Sequence, residues 1–223
     1  LDLEGEMMKK AILIAAVVSA VAAAQAVILD DFTVSQADIQ LTSAGSVDTR
    51  FAAGSFFGFD TRWTFARLDA SPFNQPLDVK LQGNGLGIVN SGVGTDAYIQ
   101  LNYFTSGSNT VNLSGIDTMK ISFADNTRDL TVFWAAWSDN YSNLAIGSQS
   151  IVAADFTGEH ELDLTSTTSN SGVNMAALDE FAFIFDPKAG GDFSITQIDA
   201  VPEPGTIGAL LVGLGALARR RRR

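Results

Sequence analysis

Between Val27 and about Ala200 the chain alternates apolar and polar positions in short runs separated by turn residues. Ile116–Phe123 is the clearest case. Met119, Ile121 and Phe123 fall on one face and Thr118, Lys120 and Ser122 on the other, the period of two of a half-buried strand. The same reading predicts strands over Val27–Thr33, Trp63–Asp69, Leu77–Gln82, Ala97–Phe104, Leu130–Trp137, Leu144–Val152, His160–Leu164, Phe181–Phe185 and Phe193–Ile198. In the Leu130 strand, Leu130, Val132 and Trp134 alternate against Phe133 and Trp137, which assigns at least one tryptophan to the core. Spacers such as Gly83-Asn84-Gly85, Ser106-Gly107-Ser108-Asn109, Asp125-Asn126-Thr127 and Ala189-Gly190-Gly191 are turn chemistry. Only Asn174–Leu178 has the character of a short helical turn. Many short strands so spaced predict an all-β fold, a β-sandwich or jelly roll, rather than alternating βαβ units. No repeat of fixed period points to a propeller or solenoid.

The two ends follow other rules. Met7 or Met8, Lys9 and Lys10 form a basic start, Ala11–Ala23 is largely apolar, and Ala24-Gln25-Ala26 fits a small-x-small cleavage site. Residues 1–26 are thus expected to be a signal peptide, with Leu1–Glu6 as an upstream extension and the true start at Met7 or Met8. The mature chain would begin near Val27, which implies signal peptidase and the general secretion machinery as partners. At the other end, Val201-Pro202-Glu203-Pro204-Gly205 precedes an uncharged run, Thr206–Ala218, and then Arg219, Arg220, Arg221, Arg222 and Arg223. As a helix the run would reach about 20 Å, against a hydrocarbon core of about 30 Å. Local thinning of the bilayer and snorkelling arginines would make up the difference. The positive-inside bias keeps the arginines cytoplasmic and sends everything before the run outward. Residues 201–223 are therefore expected to be a sorting tail with a hydrophobic helix, leaving 27–200 as one domain.

Charge narrows the partners. Of the 25 acidic and 14 basic side chains, four acids and seven bases lie in the terminal segments, leaving 21 acids and 7 bases between them. A domain at net −14 is a poor partner for nucleic acid or an anionic membrane surface. The chain has no cysteine, so it has neither a disulfide framework nor thiol chemistry.

The tail carries a resemblance. Val201-Pro202-Glu203-Pro204-Gly205, a short hydrophobic helix and an arginine cluster, in that order, resemble the PEP-CTERM sorting signal of Gram-negative bacteria. The resemblance covers about the last tenth of the chain. It implies Pro202, Glu203 and Pro204 as the motif read by an exosortase, a membrane-embedded cysteine protease-transpeptidase. It further implies the apolar run as a transient inner-membrane anchor, Arg219–Arg223 as stop-transfer, and a destination at the cell surface or in the extracellular matrix, in association with exopolysaccharide. A second resemblance rests on Leu29-Asp30-Asp31-Phe32, on Val111–Phe123 with its Leu113-Ser114-Gly115-Ile116-Asp117-Thr118 turn, on Met175–Phe185 and on Phe193–Asp199. Together these are similar to the galactose-binding-like jelly roll used by many carbohydrate-binding modules.

A sugar-binding sandwich needs a flat aromatic for the apolar face of a pyranose, and amides or carboxylates for its hydroxyls. Trp137, Asn140 and Tyr141 lie together where the Leu130 strand leaves the sheet, with Asp139 beside them as an acceptor. Trp63 and Tyr103 are further aromatics with polar neighbours. For a structural calcium the candidates are Asp30, Asp31 and Asp199, at ends of the domain that meet in this kind of jelly roll. With no EF-hand loop or dense Asp-x-Asp run, solvated strand-edge carboxylates are the simpler reading, and no cofactor is expected. Catalytic patterns are missing. His160, the lone histidine, is expected at an exposed strand position and has no nucleophile motif beside it, and a multi-histidine zinc site and a cysteine nucleophile are excluded. The Gly83-Asn84-Gly85 segment lacks a following helix and fails as a phosphate loop. The expectation is a non-enzymatic exported protein of the exopolysaccharide matrix. The alternatives are a carbohydrate-binding module with a definite glycan ligand and, behind it, a secreted glycoside hydrolase, which needs only two suitably spaced carboxylates.

Overall fold

The computed structural model describes residues 26–187 and 190–203, and every regular element among them is a strand. In chain order these are β1 (Val27–Asp30), β2 (Ile39–Leu41), β3 (Ser46–Phe56), β4 (Phe59–Ala70), β5 (Leu77–Leu81), β6 (Gly87–Ser91), β7 (Asp96–Phe104) and β8 (Ile116–Asn126). They continue with β9 (Leu130–Ser138), β10 (Asn143–Gly147), β11 (Ser150–Val152), β12 (Gly158–Asp163), β13 (Thr167–Asn170), β14 (Leu178–Pro187) and β15 (Phe193–Pro202). One sheet runs β12-β8-β15-β6-β5-β2, with β1 also paired to β15. The other runs β13-β10-β9-β14-β7-β4-β3, with β11 on β9. The pairings are antiparallel, so period-two alternation sends one side of each strand into a shared core. Met119, Ile121 and Ile198 face that core from the seven-stranded sheet, and Ile99, Trp134 and Phe183 from the eight-stranded one. The protein is an all-β sandwich, as the alternation predicts.

Three local differences have physical causes. First, β3 is not visible in the sequence pattern, because Ser46–Phe56 is mostly polar and small. It forms as an edge strand through its hairpin with β4, whose two-residue turn holds Phe57 and Gly58 at φ 50° and 92°. Second, the single run predicted over Leu144–Val152 is split into β10 and β11. The break begins at Gly147, where a Cβ would fall 1.8 Å from Trp134 Nε1. Third, Asn174–Leu178 is a tight turn instead of a helical one. The Ala177 N–H donates to the Asn174 carbonyl at 3.0 Å, and the Asn174 side chain accepts from the Ala176 N–H at 3.1 Å.

The first and last described strands meet inside the seven-stranded sheet. β1 pairs with the last part of β15, Val27 opposite Ala200 and Ile28 opposite Asp199. β15 itself runs through Pro202, two residues past the expected end of the domain at 200. Of the expected signal peptide only Ala26 is described, and Pro204, the apolar run and Arg219–Arg223 lie outside the described residues.

Candidate functional site

On β4, alternation sends Arg62, Thr64, Ala66 and Leu68 inward, and Thr61, Trp63, Phe65 and Arg67 to the outer face of the eight-stranded sheet. The cross-strand register then builds rows of side chains on that face. One row runs Phe51, Trp63, Asn102, Ala182 and Ala135, across β3, β4, β7, β14 and β9. The next runs Thr49, Phe65, Gln100, Ile184 and Phe133.

Aromatic rings collect at the β3–β4–β7 end. Phe51 and Trp63 lie nearly parallel, centroids 6.0 Å apart at 8°, and Phe51 is 64% exposed. Trp63 meets Phe65 edge-on at 6.4 Å, Phe65 meets Tyr98 at 6.0 Å, and the Arg67 guanidinium sits 5.2 Å from the Tyr98 ring centre. Amides flank this strip. The Tyr98 hydroxyl donates to Gln100 Oε1 at 3.1 Å, Gln100 Nε2 donates to Asn102 Oδ1, and Asn102 Nδ2 reaches the Trp63 carbonyl at 3.3 Å. Asn102, Ala182 and Ala135 are small and buried, so they form a low floor beside the raised rings. The arrangement is a ring-lined surface with the Gln100 amide fixed along one side.

A second cluster lies on the same face, three strands away from Trp63 and so roughly 14 Å across the sheet. Here Phe104, Glu180, Trp137 and Leu144 form a row. The turn after β9 holds Asp139, Asn140 and Tyr141 in succession at φ 56°, 53° and 64°, a left-handed stretch that non-glycine residues seldom adopt. It is tied down on both sides. The Asp139 carboxylate accepts from Asn143 Nδ2, and the Tyr141 N–H donates to Asp179 Oδ2 at 3.2 Å, where a bulge in β14 pushes Asp179 out of register. Burial raises the Glu180 carboxyl to about 7, partly opposed by its hydrogen bond with Tyr141. Burial, then the neighbouring Glu180, pushes the Tyr141 phenol up to about 12.

The structure thus brings Trp137, Asp139, Asn140 and Tyr141 together, and places Trp63 on the same face in the other cluster. Tyr103 is a correction. It points inward, is fully buried and donates its hydroxyl to Asp30 Oδ2 at 2.8 Å, so no external ligand reaches it. Sequence reading missed Phe51, Phe65, Tyr98, Gln100 and Glu180. For Phe65 and Tyr98 the signal was available, since each stands two positions from another aromatic or amide on its own strand.

The calcium candidates are engaged separately. Asp30 is buried in an ion pair with Arg62 at 2.7 Å, and it also accepts from the Phe32 N–H at 2.8 Å. Asp31 binds the Thr33 hydroxyl and amide, which lower its carboxyl below the usual range, and Asp199 accepts from Gln197 Nε2 at 2.6 Å. Among the described residues no group of three or more His, Asp or Glu side chains is placed to hold a metal ion.

His160 is half-buried, where the sequence led us to expect exposure. Phe156 lies edge-on at 6.2 Å, its Nε2 has no hydrogen-bond partner, and burial lowers its basicity. The flanking Glu159 and Glu161 turn to Lys120 instead, at 2.9 and 3.7 Å. No acid–base pair forms there.

No curated protein matches the chain. Among solved structures it is similar to the family 11 carbohydrate-binding module of a cellulosomal cellulase of Clostridium thermocellum, at 11% identity and a TM-score of 0.41, covering 80% of this chain and 96% of that one. It is also similar to a low-affinity xylan-binding module of Roseburia intestinalis, at 10% identity and a TM-score of 0.33, covering 65% and 97%. An agarase is matched at 6% identity and a TM-score of 0.38, over 61% of this chain and 22% of the enzyme. The family model described as the PEP-CTERM protein-sorting motif matches residues 200–223. The chain therefore carries a PEP-CTERM sorting signal, which implies export, transient membrane anchoring and exosortase as the processing partner.

Proposed function

We propose that this is an exported, non-enzymatic protein of the cell surface or extracellular matrix, which holds a polysaccharide on the outer face of its eight-stranded sheet. The leader is removed before Val27, the sandwich faces outward, and an exosortase cuts within the sorting motif to release the protein from the inner membrane. The observation that carries the reading is the parallel Phe51–Trp63 pair, continued by Phe65 and Tyr98 and bordered by Gln100, whose amide is fixed by Tyr98 and by the buried Asn102. Pyranose rings present C–H groups on their faces and hydroxyls at their rims, so flat rings beside fixed amides are complementary to them. The acidity of the domain favours a neutral or cationic polymer over a polyanion. The Trp137–Tyr141 cluster on the same face offers a second contact to a chain long enough to reach both.

Affinity electrophoresis through gels containing the host's own exopolysaccharide tests this. The secreted protein is retarded, and Trp63→Ala or Phe51→Ala weakens retardation about tenfold, equivalent to ~1.4 kcal/mol. Equal mobility of all three proteins in gels with and without polysaccharide would refute the proposal.

A further inference from the structure

Pro202 and Glu203, which open the sorting motif, are held by the fold. The ladder between β15 and β8 continues to its end, with Ala200 opposite Met119, Val201 opposite Thr118, and Pro202 opposite Ile116 after a register shift. Beyond Pro202 the Glu203 N–H still donates to the Gly115 carbonyl at 2.9 Å. The Glu203 carboxyl lies beside that of Asp117, and the Asp117 carbonyl is itself anchored by the Leu164 N–H at 2.7 Å. On the opposite side of β15, β1 pairs up to Val27 against Ala200. The first two residues of the Pro-Glu-Pro motif are thus built onto the sandwich, with no spacer between the fold and the sequence to be recognised.

We propose that the folded domain clasps its own sorting motif, with Gly115, Ile116 and Asp117 holding Pro202 and Glu203, so that the processing protease gains the motif only when this end of β15 peels away. The inference rests on the exosortase reading given above. A protease takes its substrate as an extended, unpaired segment, and a strand end already hydrogen-bonded to a neighbour must open first. The clasp is short. Pro202 has no N–H to give to the ladder, so the Glu203 amide makes the last contact. Asp117 sets its strength. The carboxyls of Asp117 and Glu203 lie side by side, so their like charges oppose the clasp, and Asp117 holds the Glu203 carboxyl above its usual range. An amide at position 117 removes the repulsion and can donate to Glu203.

The test follows the full-length precursor in its own host by pulse-chase, with mass spectrometry of the mature C-terminus and with a strain lacking the protease as control. A short Gly-Ser linker between Val201 and Pro202 frees the motif while leaving it intact, and Asp117→Asn tightens the clasp. The linker precursor is expected to mature about threefold or more faster than the parent, and the Asp117→Asn precursor about threefold slower, as expected when cleavage follows a local opening. Melting temperatures show that both variants are folded, and Asp117→Asn leaves the length of the strand untouched if the linker disturbs it. Equal maturation rates for all three, with correct and protease-dependent cleavage, overturn the clasp alone. A parent precursor that is never cut, or is cut without the protease, overturns the sorting reading and the clasp with it.

Discussion

Arg62→Met is the substitution whose cost can be worked most fully from the structure. Arg62 is 0% exposed and lies on the core side of β4, between the rings of Phe32 and Phe56 at 5.6 and 5.4 Å. It donates to Asp30 Oδ2 at 2.7 Å, the Val34 carbonyl at 2.7 Å and Gln36 Oε1 at 3.2 Å. Methionine fills much of the same apolar volume and keeps the aromatic contacts, so little of the loss comes from a cavity. What it removes is the cation. Asp30 keeps the Phe32 N–H and the Tyr103 hydroxyl as donors but becomes a buried carboxylate without a countercharge. Breaking one side of a buried ion pair costs about 3–5 kcal/mol, against a total stability of about 5–15 kcal/mol for a typical domain. Urea unfolding of the secreted domain, followed by tryptophan fluorescence, is expected to show that loss. The double variant Arg62→Met with Asp30→Leu should recover at least half of it, because replacing both charges with apolar groups is far cheaper than stranding one. A single variant within about 1 kcal/mol of the parent, or a double variant no better than the single, would refute the reasoning.

Gly147→Ala places a Cβ 1.8 Å from Trp134 Nε1 and 2.1 Å from its Cε2, where the ring is stacked on Phe181 and donates to the Asp163 carbonyl at 3.0 Å. The displaced indole should cost at least the ~1–3 kcal/mol of an overpacked core, read as a lowered melting temperature and an altered near-ultraviolet tryptophan signal. Glu180 gives a pH dependence. Its carboxyl is raised from 4.5 to about 7 in the fold, so its contribution to stability is complete below pH ~4.5 and is lost as pH rises through about 7. Stability should therefore fall on going from pH ~5 to ~8, by on the order of 3 kcal/mol from this group, and Glu180→Gln should flatten that slope. Unchanged melting curves across that range in both proteins would count against the burial of Glu180. Phe156→Ala removes the ring packed on His160, so the imidazole should gain water and titrate at higher pH than in the parent, read from its ring proton shifts in NMR.

The fold was legible where one face of a strand is apolar and the other is not. Met119, Ile121 and Phe123 on β8 point inward as their spacing indicates. β4 reads the other way round. Its polar Arg62 and Thr64 face the core and its Trp63 and Phe65 face outward, so periodicity finds the strand without fixing which side is inside. Arg62 can face inward because Asp30 and Gln36, far away in sequence, meet it there. Tyr103 was misplaced for a different reason. It shares parity with Ala97, Ile99 and Leu101, which is a core signal, but a phenol beside polar neighbours reads as surface until its partner Asp30 is located. The candidate site was half legible. Trp137 and its turn are contiguous in the chain, whereas the Phe51–Trp63–Tyr98 strip exists only through the register of β3, β4 and β7, and β3 carries no pattern of its own. The Pro-Glu-Pro motif was readable letter by letter. Its docking was not, because Gly115 and Asp117 lie at the start of another strand.

The central claim is that a glycan lies on the outer face of the eight-stranded sheet. Hydroxyl-radical footprinting of the secreted protein, with and without the host's exopolysaccharide and read by peptide mass spectrometry, tests it most directly. Phe51, Trp63 and Tyr98 should be protected, with weaker protection at Trp137 and Tyr141, while Val27 and Ile28, exposed on β1 of the seven-stranded sheet, stay unchanged. Unaltered labelling at Phe51 and Trp63 under saturating polysaccharide would contradict the account.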